Sequence, residues 1–358
     1  MPVLTPQYDA AVVIGRFQPV HNGHLHLLHH ALERAATVIV VLGSAFHARN
    51  TKNPFTWEER AAMIAGAMPP GQRERLRFVA TRDYYDDHRW SAEVRRLVAA
   101  QTDPQARVLL VGHFKDASSY YLRHFPQWQL ETLPRAGDID ATDIRNVWFE
   151  AEDLEVSLDV LDTMVPPSVR HYLRAWSLLP HYAALVEEHR QLRKYQAAWA
   201  AAPYPPVFTT VDAVIRAADH VLLVQRKGFP GRGLWAIPGG FLDQRERLMQ
   251  AALRELAEET NLAVLDVTLE EALVDVKIFD HPDRSARGRT ITHAYYFDLR
   301  LEHLPEVEAA DDAAQAVWTP VAQLAAMEAS FFDDHFHILD TFLNLTGDPD
   351  TEANTEGA

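Results

Sequence analysis

Between Gly240 and Leu262 the chain gathers four glutamates into a segment of helical spacing, and no other stretch restricts its fold as much. Glu255, Glu258 and Glu259 stand three and four residues apart, so on a helix they crowd one region of the surface. Like charges so placed repel unless a cation sits among them. A Glu-Glu pair alone would read as a solvated helix face. Hard oxygen donors, however, suit Mg²⁺ or Mn²⁺. Such an ion neutralises a diphosphate and lowers the pKa of a bound water.

The full string is a glycine (Gly240), five residues, Glu246, seven residues, then Arg254-Glu255-Leu256-Ala257-Glu258-Glu259-Thr260-Asn261-Leu262. It resembles the Nudix box at every specified position but one, Asn261, where that family has glycine. The position ends a helix and calls for a left-handed residue, for which Asn is the next choice. The resemblance implies that Glu255, Glu258 and Glu259 hold metal, with Glu246 supporting them and Arg254 orienting a carboxylate. Water then attacks a phosphorus of a nucleoside diphosphate compound. The base is either a loop glutamate outside the box or a box glutamate. The segment Asp280–His293 resembles the loop and strand of ADP-ribose-cleaving members, which makes Arg284, Arg287 and Arg289 candidates for phosphate or ribose contacts. An ordinary basic hairpin is the other reading.

At 358 residues the chain exceeds one average domain. Strand-like Ala11–Ile14, Thr37–Leu42 and Arg107–Val111 alternate with helix-like Leu25–Arg34, Thr56–Ala67 and Ser118–Phe125. That alternation predicts a parallel sheet with ligands at the carboxyl ends of its strands. Pro166-Pro167 breaks the pattern, and Ser168–Tyr195 reads as mainly helical. From Val207 the runs Val211–Arg216 and Val221–Gln225, with one long helix Arg247–Glu259, predict an α+β domain. The expected division is an α/β Rossmann-like domain at 1–180, a helical, Pro-rich linker at 181–206, a Nudix domain at 207–345 and a disordered acidic tail at 346–358.

Gly15-Arg16-Phe17-Gln18-Pro19-Val20-His21-Asn22-Gly23-His24 follows the first strand and opens the first helix. Free N–H groups at a helix N-terminus suit a triphosphate. The i, i+3 spacing lets both imidazoles face one pocket, although with His26, His29 and His30 nearby it also fits a transition-metal site. The turn resembles the (H/T)xGH signature of the nucleotidyltransferase superfamily. Asp140-Ala141-Thr142-Asp143-Ile144-Arg145 matches the second signature of that superfamily in part, which implies that Thr142 caps a helix and Arg145 reaches the β/γ phosphates.

Gly43-Ser44-Ala45, His47-Ala-Arg49, Asn53-Pro-Phe-Thr-Trp-Glu-Glu-Arg60 and Tyr84-Tyr-Asp-Asp-His-Arg-Trp90 resemble nicotinamide mononucleotide (NMN) adenylyltransferases of the kind found in archaea and in fusions. The resemblance implies a phosphate clamp of His21, His24, Arg16, Arg49 and Arg145. It places Gly15 and Phe17 in the binding turn, Trp90 on the nicotinamide ring, and Gly112, Lys115 and Asp116 in an adenine-side loop. A helix-packing tryptophan is the alternative for Trp90.

The expected activities are adenylyl transfer from ATP to NMN, and Mg²⁺-dependent hydrolysis of ADP-ribose to AMP and ribose 5-phosphate. Alternatives are another nucleotidyltransferase, acting on pantetheine phosphate or a sugar phosphate, or a Nudix domain serving as an ADP-ribose sensor. A net charge of −16 argues against a nucleic-acid partner. No apolar run approaches the ~18–20 residues of a membrane span, and the start lacks a secretion pattern. Cysteine is absent, which excludes disulfides and thiolate sites. The cytoplasm is the simplest compartment, and a homo-oligomer stays open.

Overall fold

The computed structural model describes residues 6–113, 117–134, 137 and 139–347. The chain divides into two compact units between Val186 and Glu187.

In the first unit, strands β1 (Tyr8–Gly15), β2 (Ala35–Leu42), β3 (Leu76–Ala80), β4 (Val108–Gly112) and β5 (Gln129–Thr132) form one sheet. Their order is β3-β2-β1-β4-β5, and every pairing is parallel. Helices α1 (Asn22–Arg34), α2 (Trp57–Ala67), α3 (Pro70–Arg73), α4 (Asp87–Ala99), α5 (Ala141–Phe149), α6 (Leu154–Val160) and α7 (Pro167–Trp176) connect and cover it. Alternate residues of β1 serve two cores: Ala11 and Val13 pack with Leu28, Ile64 and Trp148, while Ala10 and Val12 pack with Val94, Val98 and Phe125. Each fully buried leucine or valine contributes roughly 1.5–3 kcal/mol. The strand order reverses direction between β1 and β4, so a crevice opens at their carboxyl ends.

The stretch expected as helix at Ser118–Phe125 is a tighter 3₁₀ helix, Ala117–His124. Strands β3 and β5 and helices α3, α4 and α6 lay outside the expected pattern. β5 is largely exposed, β3 has only five residues, and α4 buries only Ser91, Val94 and Val98. Short length and exposure leave the two strands without a clear local signature.

Helix α8 (Pro180–Ala198) runs through the division between units. The second unit holds β6 (Val207–Ala217), β7 (His220–Arg226), β8 (Trp235–Ala236), β9 (Gly239–Phe241), β10 (Leu273–Phe279), β11 (Arg289–Asp298) and β12 (Ala313–Pro320). The main path is β10-β11-β6-β7-β12, with β8 on β7 and β9 on β6. Only β6 and β11 pair in parallel. Helix α9 (Leu248–Thr260) packs Ala251, Ala252 and Leu256 on Val211, Ala213 and Ile215. The opposite face takes α12 (His335–Leu343) through Phe336, Ile338 and Leu339. Short helices α10 (Asp266–Glu271) and α11 (Val321–Leu324) complete the unit.

Asn261 ends α9 with φ 43° and ψ 36°, its N–H donating to the Ala257 carbonyl at 2.9 Å. This is the left-handed stop the sequence calls for at that position.

Two candidate active sites

In the first unit, the turn after β1 folds Phe17 back so that a Cβ on Gly15 would lie 3.0 Å from its ring. Phe17 is buried, has φ 53°, and stands 4.6 Å from the His24 ring. His21 caps α1 and stacks on His24, ring centroids 3.6 Å apart. The His21 N–H donates to His24 Nδ1 at 3.3 Å. That contact assigns the ring proton to Nε2, which leaves a donor aimed away from the cap. Burial, then the charges of His21 and His113, hold the His24 pKa well below the ordinary histidine value. His24 is therefore neutral.

Arg145 is buried; its Nη1 donates to the Gln18 carbonyl at 2.6 Å and its Nη2 to Thr142 Oγ1 at 3.2 Å. It thus ties α5 to the histidine turn. The helix cap is not Thr142, as expected, but Asp140, whose carboxylate accepts the Thr142 N–H at 2.8 Å. An extended Asp one residue before the helix outcompetes a Thr already inside it. Arg16 is exposed, and its charge bears on Arg145, Arg60 and Asp83.

Arg49, expected in the clamp, spends its guanidinium elsewhere. It holds Glu59 through two bonds (2.5 and 3.0 Å) and the Pro54 carbonyl at 2.6 Å. Glu59 is the capping-box acid of α2, so the pair fixes that helix start. Trp90 meets Tyr121 and Phe125 edge-on at 5.5 and 5.8 Å, a packing role. A Cβ on Gly112 would collide with Leu122 at 2.9 Å. Lys115 and Asp116 lie outside the described residues.

Two groups carry no signal in local spacing. Arg60 is fully buried and donates to the carbonyls of Arg16 and Gly43 (2.6 Å each) and Ser44 (3.3 Å), so it fastens the β1 and β2 ends together. Asp83 accepts Ser44 Oγ at 2.6 Å and faces His47 Nε2 at 3.3 Å. Burial would raise its pKa, yet His47 and Ser44 outweigh burial and hold it well below the carboxylate range.

In the second unit Arg254 is the hub of the acidic helix. It grips Glu246 through Nε (3.0 Å) and Nη2 (2.7 Å), and its Nη1 reaches Glu255 (2.9 Å) and Glu258 (3.0 Å). Glu259 accepts the Gly239 N–H at 3.0 Å. Burial first, then Glu255 and Asp212, push its pKa up to about 8 despite that bond. Glu255 is also raised, mainly by burial. Two glycines make the approach possible: a Cβ on Gly239 would lie 2.2 Å from the Val211 carbonyl, and one on Gly240 2.5 Å from the Glu255 carboxyl.

Among the described residues no three acidic or histidine side chains converge on one metal-sized point. Arg254 sits where they would meet. The donor set nevertheless fits a hard divalent cation: three of the four carboxylates share one guanidinium, and burial raises the pKa values of Glu255 and Glu259. A cation would relieve that excess charge.

The hairpin arginines separate into three roles. Arg284 is buried and bidentate on Asp334 at 2.8 Å twice, so it is not free for substrate as expected. Arg289 donates to the Asp280 carbonyl and closes the hairpin. Arg287 lies 4.8 Å from the Phe241 ring and 5.8 Å from Phe332. Beside it is Arg226, which sequence reasoning missed: its guanidinium lies 4.2 Å from the same Phe332 ring and its charge acts on Glu259. Burial, then Arg287, lowers the Arg226 pKa. Two cations thus share one aromatic ring next to the acidic helix.

A parallel sheet with paired imidazoles at a helix N-terminus, and a glycine-backed acidic helix on a mixed sheet, define a nucleotidyltransferase-like unit joined to a Nudix unit. Family models agree: "Cytidylyltransferase-like" matches residues 12–147 and "NUDIX domain" matches 207–342. The nicotinamide/nicotinic acid mononucleotide adenylyltransferase of Acinetobacter baylyi is 36% identical, over 51% of this chain and 95% of the relative. An ADP-ribose pyrophosphatase of Methanocaldococcus jannaschii is 32% identical, over 38% of this chain and 71% of its own. A bifunctional NMN adenylyltransferase/ADP-ribose pyrophosphatase of Francisella tularensis, solved with AMP and a Mn ion, superposes with a TM-score of 0.87 at 35% identity. It covers 94% of this chain and 99% of that one. The chain belongs to this bifunctional family.

Proposed function

We propose that the chain joins ATP and NMN into NAD and diphosphate in its first unit, and cleaves ADP-ribose to AMP and ribose 5-phosphate in its second. The observation that carries this reading is the coexistence of the stacked His21–His24 pair with the Arg254-centred glutamate array in one chain.

In the first unit the NMN phosphate attacks the α-phosphorus of ATP, so no protein nucleophile is required. Neutral His24 offers Nε2–H to a phosphate oxygen, and Arg16 supplies free positive charge. Arg145 and Arg60 act one step back, holding the Gln18, Arg16, Gly43 and Ser44 backbone that frames the site. Catalysis is positioning and charge stabilisation.

In the second unit Glu255, Glu258 and Glu259 would hold Mg²⁺, with Glu246 anchoring Arg254. The ion supplies charge neutralisation and an acidified water. Arg226 and Arg287 hold the phosphates over Phe332. No helix among the described residues is long and apolar enough to cross a membrane, which accords with a cytoplasmic enzyme of small substrates.

Incubation with Mg²⁺ and either ATP plus NMN, or ADP-ribose, with chromatography of the products, tests both halves. A hydrolase unit that ignores ADP-ribose but cleaves another diphosphate would sink the second assignment.

A further inference from the structure

Strand β10 is an edge of the seven-stranded sheet, paired only with β11. Edge strands usually hide apolar side chains or carry charge toward solvent. β10 instead exposes Val274 (53%), Val276 (40%) and Ile278 (60%); Val276 and Ile278 alternate onto one face, and Val274 lies at the register irregularity between Leu273 and Asp275. Leu265 and Val267, around the start of α10 shortly before this strand, are exposed as well. On the other face Asp275 and Lys277 sit side by side, Nζ to Oδ2 3.9 Å. The Val276 N–H is taken by the carboxylate of its own neighbour, Asp275, at 2.8 Å.

The order Val274-Asp275-Val276-Lys277-Ile278 is self-complementary when run antiparallel about Val276. Val276 then meets Val276 of a second copy, Val274 meets Ile278, and Asp275 meets Lys277 twice. Apolar residues oppose apolar ones on one face, and opposite charges oppose on the other. We propose that β10 is a self-association edge, through which two copies of this chain pair β10 to β10 across a twofold axis and extend the sheet. The Val276 N–H passes from Asp275 to the carbonyl of the second copy, and Asp275 turns to the Lys277 facing it. A single strand edge buries less than a permanent interface does, so the dimer is concentration-dependent. Pairing also braces the hairpin that carries Arg287, because β10 leads directly into it.

The test is sedimentation of the full chain across a concentration series, with two charge variants. Wild type should pass from monomer to dimer. Asp275→Lys alone sets lysine against lysine, and Lys277→Asp alone sets aspartate against aspartate, so each should move the midpoint up by about tenfold. An equal mixture of the two restores both opposite-charge pairs and should dimerise as wild type does. Hydrogen exchange of wild type needs no variant: amide protection across 274–278 should rise with concentration. A wild type that stays monomeric, a dimer indifferent to both substitutions, a mixture no better than its parts, or protection independent of concentration would each overturn the proposal.

Discussion

Arg254 clasps Glu246 with both ends of its fork while its remaining nitrogen spans Glu255 and Glu258. One cation therefore sets the spacing of three carboxylates, and it does so without any of them being deeply buried together. Replacing Arg254 by Ala should lower ADP-ribose hydrolysis by about 10–100-fold, the usual effect of losing a group that orients metal ligands. NAD synthesis should be untouched. Steady-state assays of both reactions on one preparation check the split.

Gly240→Ala tests the close approach behind the helix. The new methyl would lie 2.5 Å from the Glu255 carboxyl, which must move. The expected result is a loss of hydrolysis of at least about tenfold, with the thermal transition of the chain little changed. A fully active variant would show that Glu255 does not need this position.

Arg226 and Arg287 share Phe332. Truncating Arg226 to Met keeps the packing on the ring but removes a charged donor, worth about 1.5–3 kcal/mol in a charge-assisted bond. The KM for ADP-ribose should rise by roughly tenfold or more, with kcat less affected. The double variant with Arg287→Met should lose less than the product of the two single effects, because both arginines serve one anion.

His24→Ala removes the neutral donor at the α1 start. Loss of one such contact costs about 10²–10³ in kcat. The KM for NMN should move far less. A near-normal rate of NAD formation would remove His24 from the mechanism.

His335 sets an acid limit on the second unit. Its Nδ1 accepts the Ile237 N–H at 3.1 Å, and burial, aided by Arg284, Arg226 and Arg287 against the pull of Asp334, pushes its pKa down to about 3. Between the ordinary value of 6.5 and about 3 the unfolded chain binds a proton that the folded chain refuses. Stability from this group is thus full above 6.5 and falls as pH drops through that window. Asp333, with a pKa raised to about 6 mainly by burial, acts in the opposite sense over part of the same range. The comparison of wild type with His335→Gln isolates the histidine: the variant's Tm should decline less steeply below pH 6.5.

The acidic helix, its Asn261 stop and the glycine-led turn before α1 were readable along the chain because each is local. Carboxylates three and four apart and a residue at a helix end have their geometry set by the helix itself, and the two imidazoles theirs by its N-terminal cap. The same is true of β1, whose apolar run needs two covered faces.

What local spacing could not assign was the work of each arginine. Arg284 finds Asp334 fifty residues later, Arg145 finds the Gln18 carbonyl 127 residues earlier, and Arg226 meets Arg287 only because β7 and the hairpin end beside Phe332. A guanidinium can serve phosphate, carboxylate or backbone equally well, so its role depends on which acceptor the fold brings within reach. The sequence by itself thus determined two units, a diphosphate chemistry and a triphosphate-binding turn. Only the tertiary structure decided which cations remain free for substrate, because charge pairing is settled by proximity in space and not along the chain.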